Sequence, residues 1–264
     1  MSTASDTRLS ALDKIVDGSD TSGSFASDLF SVVDLLDSSA MLRRAITDPG
    51  TPEEARAGLV HGLLDGKVAG PVAALVADAA KLRWGGGRTF AAALERQAVR
   101  AELISANGEG TLEETEDELF RFARVVESNP GLRNALGDRS VGLSERQDLV
   151  GELLAGRSTK ATLTLAKRAV AARERTFAHT IEGFVTLAAA QKNRLVATVR
   201  VAQPLSGEQR DRLQASLSKQ AGRQVALQEI VDPDVLGGIR VELGDEVVEG
   251  TVAGRLEAAR RLFG

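Results

Sequence analysis

Leu195-Val196-Ala197-Thr198-Val199-Arg200-Val201-Ala202 is where the chain changes its period. Leu195, Ala197, Val199 and Val201 alternate with Val196, Thr198, Arg200 and Ala202, and strict alternation is the mark of a half-buried strand. Pro204 ends the run. Ser206-Gly207-Glu208-Gln209 then reads as a capping box opening a helix that carries Leu213 and Leu217 on one face. A second strand is expected over 225–231 and a third through Ile239, Val241 and Leu243. A short fourth, over 246–249, would pair through a turn at Gly244-Asp245. From Thr251 a last helix is expected, with Val252, Leu256, Ala259 and Phe263 on one stripe. The segment is thus a small β-α-β-β-α unit.

Upstream of this switch the apolar positions recur at three and four: Leu29, Val32, Val33 and Leu36, then Leu59, Leu63 and Leu64, then Leu149, Leu153 and Leu154. That is helical spacing. Thr51-Pro52-Glu53-Glu54, Thr111-Leu112-Glu113-Glu114 and Ser144-Glu145-Arg146-Gln147 read as capping boxes. Gly66, Gly108 with Gly110, and Gly156 mark helix ends.

The helical part repeats itself. Shifted by 90 positions, residues 28–66 align without a gap to 118–156, and 13 of the 39 positions are identical. The identities include Leu29/Leu119, Phe30/Phe120, Arg43/Arg133, Asp48/Asp138, Arg56/Arg146 and Gly66/Gly156. Further on, Arg88-Thr89-Phe90 answers Arg175-Thr176-Phe177 at an offset of 87, a difference that glycines 85–87 account for. The expected fold is therefore mainly α: helical bundles with an internal duplication, followed by a small α/β C-terminal domain. The expected segments are 1–90 (first copy), 91–190 (second copy) and 191–264 (the α/β unit).

Composition narrows the chemistry. The 264 residues include no Cys and no Tyr, and only two His, His61 and His179. Thiol, disulfide and cysteine-metal chemistry are excluded, as are a tyrosine acid and a His-rich metal centre. A net charge of −4 argues against nucleic acid as a partner. The longest apolar stretch, 68–77, is interrupted by Gly70 and Pro71, so direct membrane insertion is not expected. Gly151-Glu152-Leu153-Leu154-Ala155-Gly156-Arg157-Ser158 has the outline of a phosphate loop, but with Arg in place of Lys and within a helical pattern, so a helix end is the better reading. The acidic run 113–118 leads straight into Leu119 and Phe120 and reads as a solvated helix face, not a calcium loop. The two histidines read as isolated imidazoles, each with one acid a turn away (Asp65 and Glu182).

The C-terminal run carries a family pattern. Leu236-Gly237-Gly238-Ile239-Arg240-Val241-Glu242-Leu243-Gly244, continued by Asp245 and then Gly250-Thr251-Val252 and Arg255-Leu256, resembles the signature of the delta subunits of F-type ATP synthases, relatives of the oligomycin-sensitivity-conferring protein. Leu236, Gly237, Gly238, Ile239, Val241 and Gly244 are its structural core. Glu118-Leu119-Phe120 and Asn129-Pro130-Gly131-Leu132-Arg133 resemble the family's second helix and its end, and Ala98-Val99-Arg100-Ala101-Glu102-Leu103 stands near its first helix, without the usual Tyr. The extra N-terminal copy is similar to the long actinobacterial form. The resemblance implies a non-catalytic stator without cofactor or metal, peripheral on the cytoplasmic side of the cell membrane. Its implied partners are N-terminal segments of alpha subunits, for the helical part, and the b subunit, for the C-terminal domain. Ala98, Ala101, Leu103, Arg255, Arg260 and Phe263 are the candidate partner-binding residues. A free-standing cytosolic helical adaptor is the alternative that the duplication alone allows.

Overall fold

The computed structural model describes residues 3–21, 23–172, 176–192, 195–221, 225–232, 235, 239–243 and 246–249. They form two compact units, one from residues 20–192 and one from residues 1–19 with 193–264.

The helical unit contains α2 (Phe25–Ser38), α3 (Ala40–Thr47), α4 (Glu53–Leu64), α5 (Gly70–Lys81), α6 (Gly87–Gly108), α7 (Leu112–Ser128), α8 (Pro130–Gly137), α9 (Leu143–Leu154), α10 (Lys160–Val170) and α11 (Phe177–Lys192). Shifted by 90 residues, α3 falls on α8 and α4 on α9 with both ends matching, and α2 and α7 share their last position. The packing repeats as well: α2 lies against α6 as α7 lies against α11, and α4 against α5 as α9 against α10. Helix α6 takes part in both copies. It closes the first and also packs on α7, α10 and α11 of the second, which is why it is buried on most of its circumference. The expected boundary at residue 90 falls inside this helix.

The duplication extends to individual polar contacts. Ser39 Oγ accepts from Leu42 N at 3.2 Å, and Asn129 Oδ1 accepts from Leu132 N at 3.1 Å, so both short helices are capped from the same position. Asp28 receives the N–H of Ala69 at 2.8 Å, and Glu118 receives that of Thr159 at 2.9 Å. Arg43 donates to Asp37 O, and Arg133 to Glu127 O. Arg56, 5 % exposed, donates to the carbonyls of Asp48, Thr51, Ala80 and Lys81. Arg146 donates to those of Leu136, Val141 and Val170. In each copy a guanidinium thus ties the end of one helix hairpin to the turn that opens it, satisfying carbonyls left without intrahelical partners.

Gly66 and Gly156 hold φ of +73° and +65°, the left-handed geometry that ends α4 and α9 at equivalent places. Residues 151–158 therefore leave a helix and follow no strand. The expected capping boxes at Thr51, Thr111 and Ser144 do not form. Thr51 gives its hydroxyl to Asp48, Thr111 gives its hydroxyl to Ala106 O, and Ser144 lies inside α9, which starts one residue earlier. Thr159 caps α10 instead, accepting from Thr162 N at 3.1 Å.

In the α/β unit, β1 (Leu195–Val201) leads through α12 (Gly207–Ala221) to β2 (Val225–Val231), followed by β3 (Ile239–Leu243) and β4 (Glu246–Glu249). The sheet order is β2-β1-β3-β4. β1 and β2 are parallel, as a helical crossover requires, and the other pairings are antiparallel. Ala197, Val199, Val201, Val225, Leu227 and Val241 form the buried face with Leu217 of α12. The Ser206 box is real: Ser206 N donates to Gln209 Oε1 at 2.9 Å and Gln209 N to Ser206 Oγ at 3.3 Å. Glu229, buried on β2, accepts from Leu205 N at 2.9 Å and pairs with Arg210, pinning the start of α12 to the sheet. Helix α1 (Thr3–Asp17) belongs to this unit. It buries Leu12 and Val16, and its Lys14 meets Asp211 at 2.7 Å.

Replacing Arg56 by Ala leaves the buried Ala80 carbonyl and three part-buried ones without their charged donor, a fully buried one costing about 1–3 kcal/mol when unsatisfied. After partial rehydration we expect a loss of about 3 kcal/mol in chemical denaturation, and a smaller loss for Arg146→Ala, whose site is more open.

Candidate functional site: an acidic groove on the second helical copy

The structure separates the residues that the sequence singled out. Ala98, Ala101 and Leu103 lie on α6 with no exposed surface. In this fold they are core residues, because α6 packs against helices of both copies on several sides. Val241 is buried in β3 and Ile239 packs at its edge. Leu236, Gly237, Gly238, Gly244, Arg255, Arg260 and Phe263 lie outside the described residues, as does the expected last helix.

Two features of the helical unit were not legible in the sequence. The first joins its two copies. Arg168 of α10 is 8 % exposed. Its guanidinium pairs with Asp34 of α2 and, at 2.7 Å, with Glu95 of α6, and lies 5.1 Å from the ring centre of Phe30. Burial works against its charge, but Glu95 and Asp34 more than offset this and hold its pKa above the ordinary value. These partners are far apart in sequence, and no local spacing announces them.

The second feature is a groove of about 750 Å³ between α7 and α11. It is lined by Glu113, Glu114, Glu116, Asp117 and Phe120 on one side and by Val185 and Lys192 on the other. Phe120 is 55 % exposed and Val125, further along α7, is 52 % exposed. Lys192 Nζ donates to Glu113 at 2.6 Å. This hydrogen bond holds the Glu113 carboxyl below, and the Lys192 ammonium above, its usual range, so both are charged at neutral pH. Four carboxylates and Lys192 line the groove, and Arg121 pairs with Asp117 at 2.6 Å, so the groove is acidic by a smaller margin than its lining alone gives. The acidic run is a solvated helix face, as its sequence suggested. It also lines one side of a groove that holds Phe120 and Val185, which the sequence alone did not show because α11 is brought to α7 only by the fold.

The groove contains no nucleophile paired with a base. His61 and His179 lie on different helices, exposed, at 3.1 Å from Asp65 and 3.3 Å from Glu182. Among the described residues no group of three His, Asp or Glu is placed to hold a metal ion, and no helix is long and apolar enough to cross a membrane.

Comparison with known proteins fixes the family. Residues 94–263 match the family described as ATP synthase delta (OSCP) subunit. The chain is 45 % identical to the ATP synthase subunit delta of Streptomyces avermitilis over 89 % of its length and 87 % of the relative's. It is 43 % identical to that of Streptomyces coelicolor over 95 % and 93 %, and 39 % identical to that of Cutibacterium acnes over 96 % of both chains. The chain belongs to the ATP synthase delta (OSCP) family. The family match starts inside α6, so it takes in the second helical copy and the α/β segment. The first copy lies before it, yet these delta subunits match the chain across that region too. The groove and its acidic rim belong to the helical copy that the family shares.

Arg168→Leu removes the cation that three groups of the first copy surround. Asp34 is well exposed and recovers its hydration, so the cost is that of a partly screened pair, about 2 kcal/mol. Hydrogen exchange is expected to quicken in α2 and α10 before the α/β unit responds. A double-mutant cycle with Glu95→Gln is expected to return a coupling of about 1–2 kcal/mol.

Proposed function

We propose that this chain is a non-catalytic stator subunit of the peripheral stalk of an F-type proton-translocating ATP synthase. It links the catalytic head to the b-subunit stalk, so that rotation driven by protons does work on the head. Family membership over residues 94–263 is the observation that carries this reading. Relatives named as delta subunits, aligned along nearly the whole chain, support it.

In this reading the helical unit takes N-terminal segments of alpha subunits and the C-terminal α/β domain takes the b subunit. The chain then sits peripherally on the cytoplasmic side of the cell membrane, held there by its partners. The physical chemistry of the described residues is compatible with such a role. A subunit that resists torque needs rigid helices joined by satisfied polar contacts, and Arg56, Arg146 and Arg168 supply those. It also needs apolar surface framed by charge, into which a partner helix can lay one face.

Purification of the synthase from membranes through a tag on another subunit tests this. The chain is expected to co-purify in fixed stoichiometry with the head and stalk. Its absence from the complex, with a stable partner elsewhere, would favour the free-standing adaptor.

A further inference from the structure

The α/β unit is not continuous in sequence. Residues 1–19 and 193–264 make it up, and the helical unit of residues 20–192 is inserted between them. The chain therefore passes between the two units twice, once after α1 and once before β1.

Helix α1 is fastened to the α/β unit at several points. It packs against β2, and Leu12 and Val16 keep no exposed surface. Lys14 meets Asp211 of α12 at 2.7 Å. That pair is open to solvent and contributes little, so the buried apolar side chains carry most of the hold. Ser19 closes the end of the helix, its hydroxyl donating to Ile15 O at 2.6 Å. Gly18, one residue earlier, comes so near Arg210 that a Cβ there would stand 2.8 Å from the guanidinium Nη1. Arg210 is itself held by Glu229 of β2.

The two crossings attach to the sheet at different levels. The first leaves beside the Arg210–Glu229 pair, and Glu229 stands opposite Val199 in the β1–β2 register. The second enters at Leu195, four residues before Val199 on the same strand. At ~3.3 Å per strand residue the two levels lie about 13 Å apart. One link lets two rigid parts turn about it in every direction, whereas two links anchored apart leave only rotation about the line that joins them.

We propose that α1 is a clasp: by docking on the α/β unit it converts the single link after α11 into a two-point tether, which restrains how the helical and α/β units turn against each other. The restraint belongs to the chain by itself. Its use, passing torque from one unit to the other without twisting at the joint, rests on the stator reading above.

The test uses the full chain. It contains no Cys, so Ala135→Cys on α8 and Ala215→Cys on α12, both exposed, place one spin label in each unit. A protease site inserted after Gly23, an exposed position between α1 and α2, lets the same folded protein be measured before and after a cut. Before the cut, double electron–electron resonance is expected to give a narrow distance distribution. After it, the α1 fragment is expected to stay with the chain in gel filtration while the distribution becomes at least twofold broader. Leu12→Asp with Val16→Asp, in the uncut chain, is expected to broaden it in the same way, with the helical unit's unfolding midpoint unchanged. Release of α1 on cutting, or an unchanged width after the cut, overturns the proposal. Neither result touches the stator reading, which stands or falls on co-purification with the synthase.

Discussion

Among the buried arginines of the helical half, Arg168 is the one that ties its two copies together. Taking a guanidinium out of water costs several kcal/mol unless its donors are met and its charge is balanced. Arg168 meets both conditions only where two carboxylates and a phenylalanine ring converge, and those groups come from α2 and α6. This pairing fixes α10 of the second copy against α2 and α6. Helix α6 is then shared by both bundles, and residues 20–192 become one compact unit. Arg56 and Arg146 repeat the device at smaller scale, each binding loop and helix-end carbonyls within its own copy.

The α/β half follows a different logic. Its core is one sheet face with Leu217 of α12, and the polar contacts around it set the crossover's geometry. Glu229 holds the start of the crossover helix through both a backbone N–H and Arg210, while Gln214 at its middle donates to Val225 O and Ser218 nearer its end accepts from Val225 N. The first helix of the chain joins this unit, not the helical repeat that follows it in sequence.

Much of this was legible in the sequence, for physical reasons that also explain what was not. Period two and period four are imposed by local geometry, so the strand at Leu195, the crossover helix and the 90-residue duplication could be read directly. The Ser206–Gln209 box formed because both side chains are free to bond reciprocally. Thr51 and Thr111 had nearer acceptors, in Asp48 and the Ala106 carbonyl, and so did not cap. The joining of α1 to the sheet, and the burial of Ala98, Ala101 and Leu103, depend on which faces meet in three dimensions. A helical stripe specifies a face to be covered, but not whether a partner subunit or a second copy of the same module covers it. Here helices of both copies pack round α6 and cover those three residues, while Phe120 of α7 stays exposed.

A stator has to transmit torque while catalysing nothing. The helices locked by buried guanidinium groups give this chain the stiffness such a role needs. Proton pumping by membrane vesicles that carry the synthase, stripped of this chain and then reconstituted with it, addresses that role most directly. The account predicts that stripped vesicles still hydrolyse ATP but build no proton gradient, and that adding the chain back restores the gradient. A full gradient in vesicles lacking the chain would contradict it.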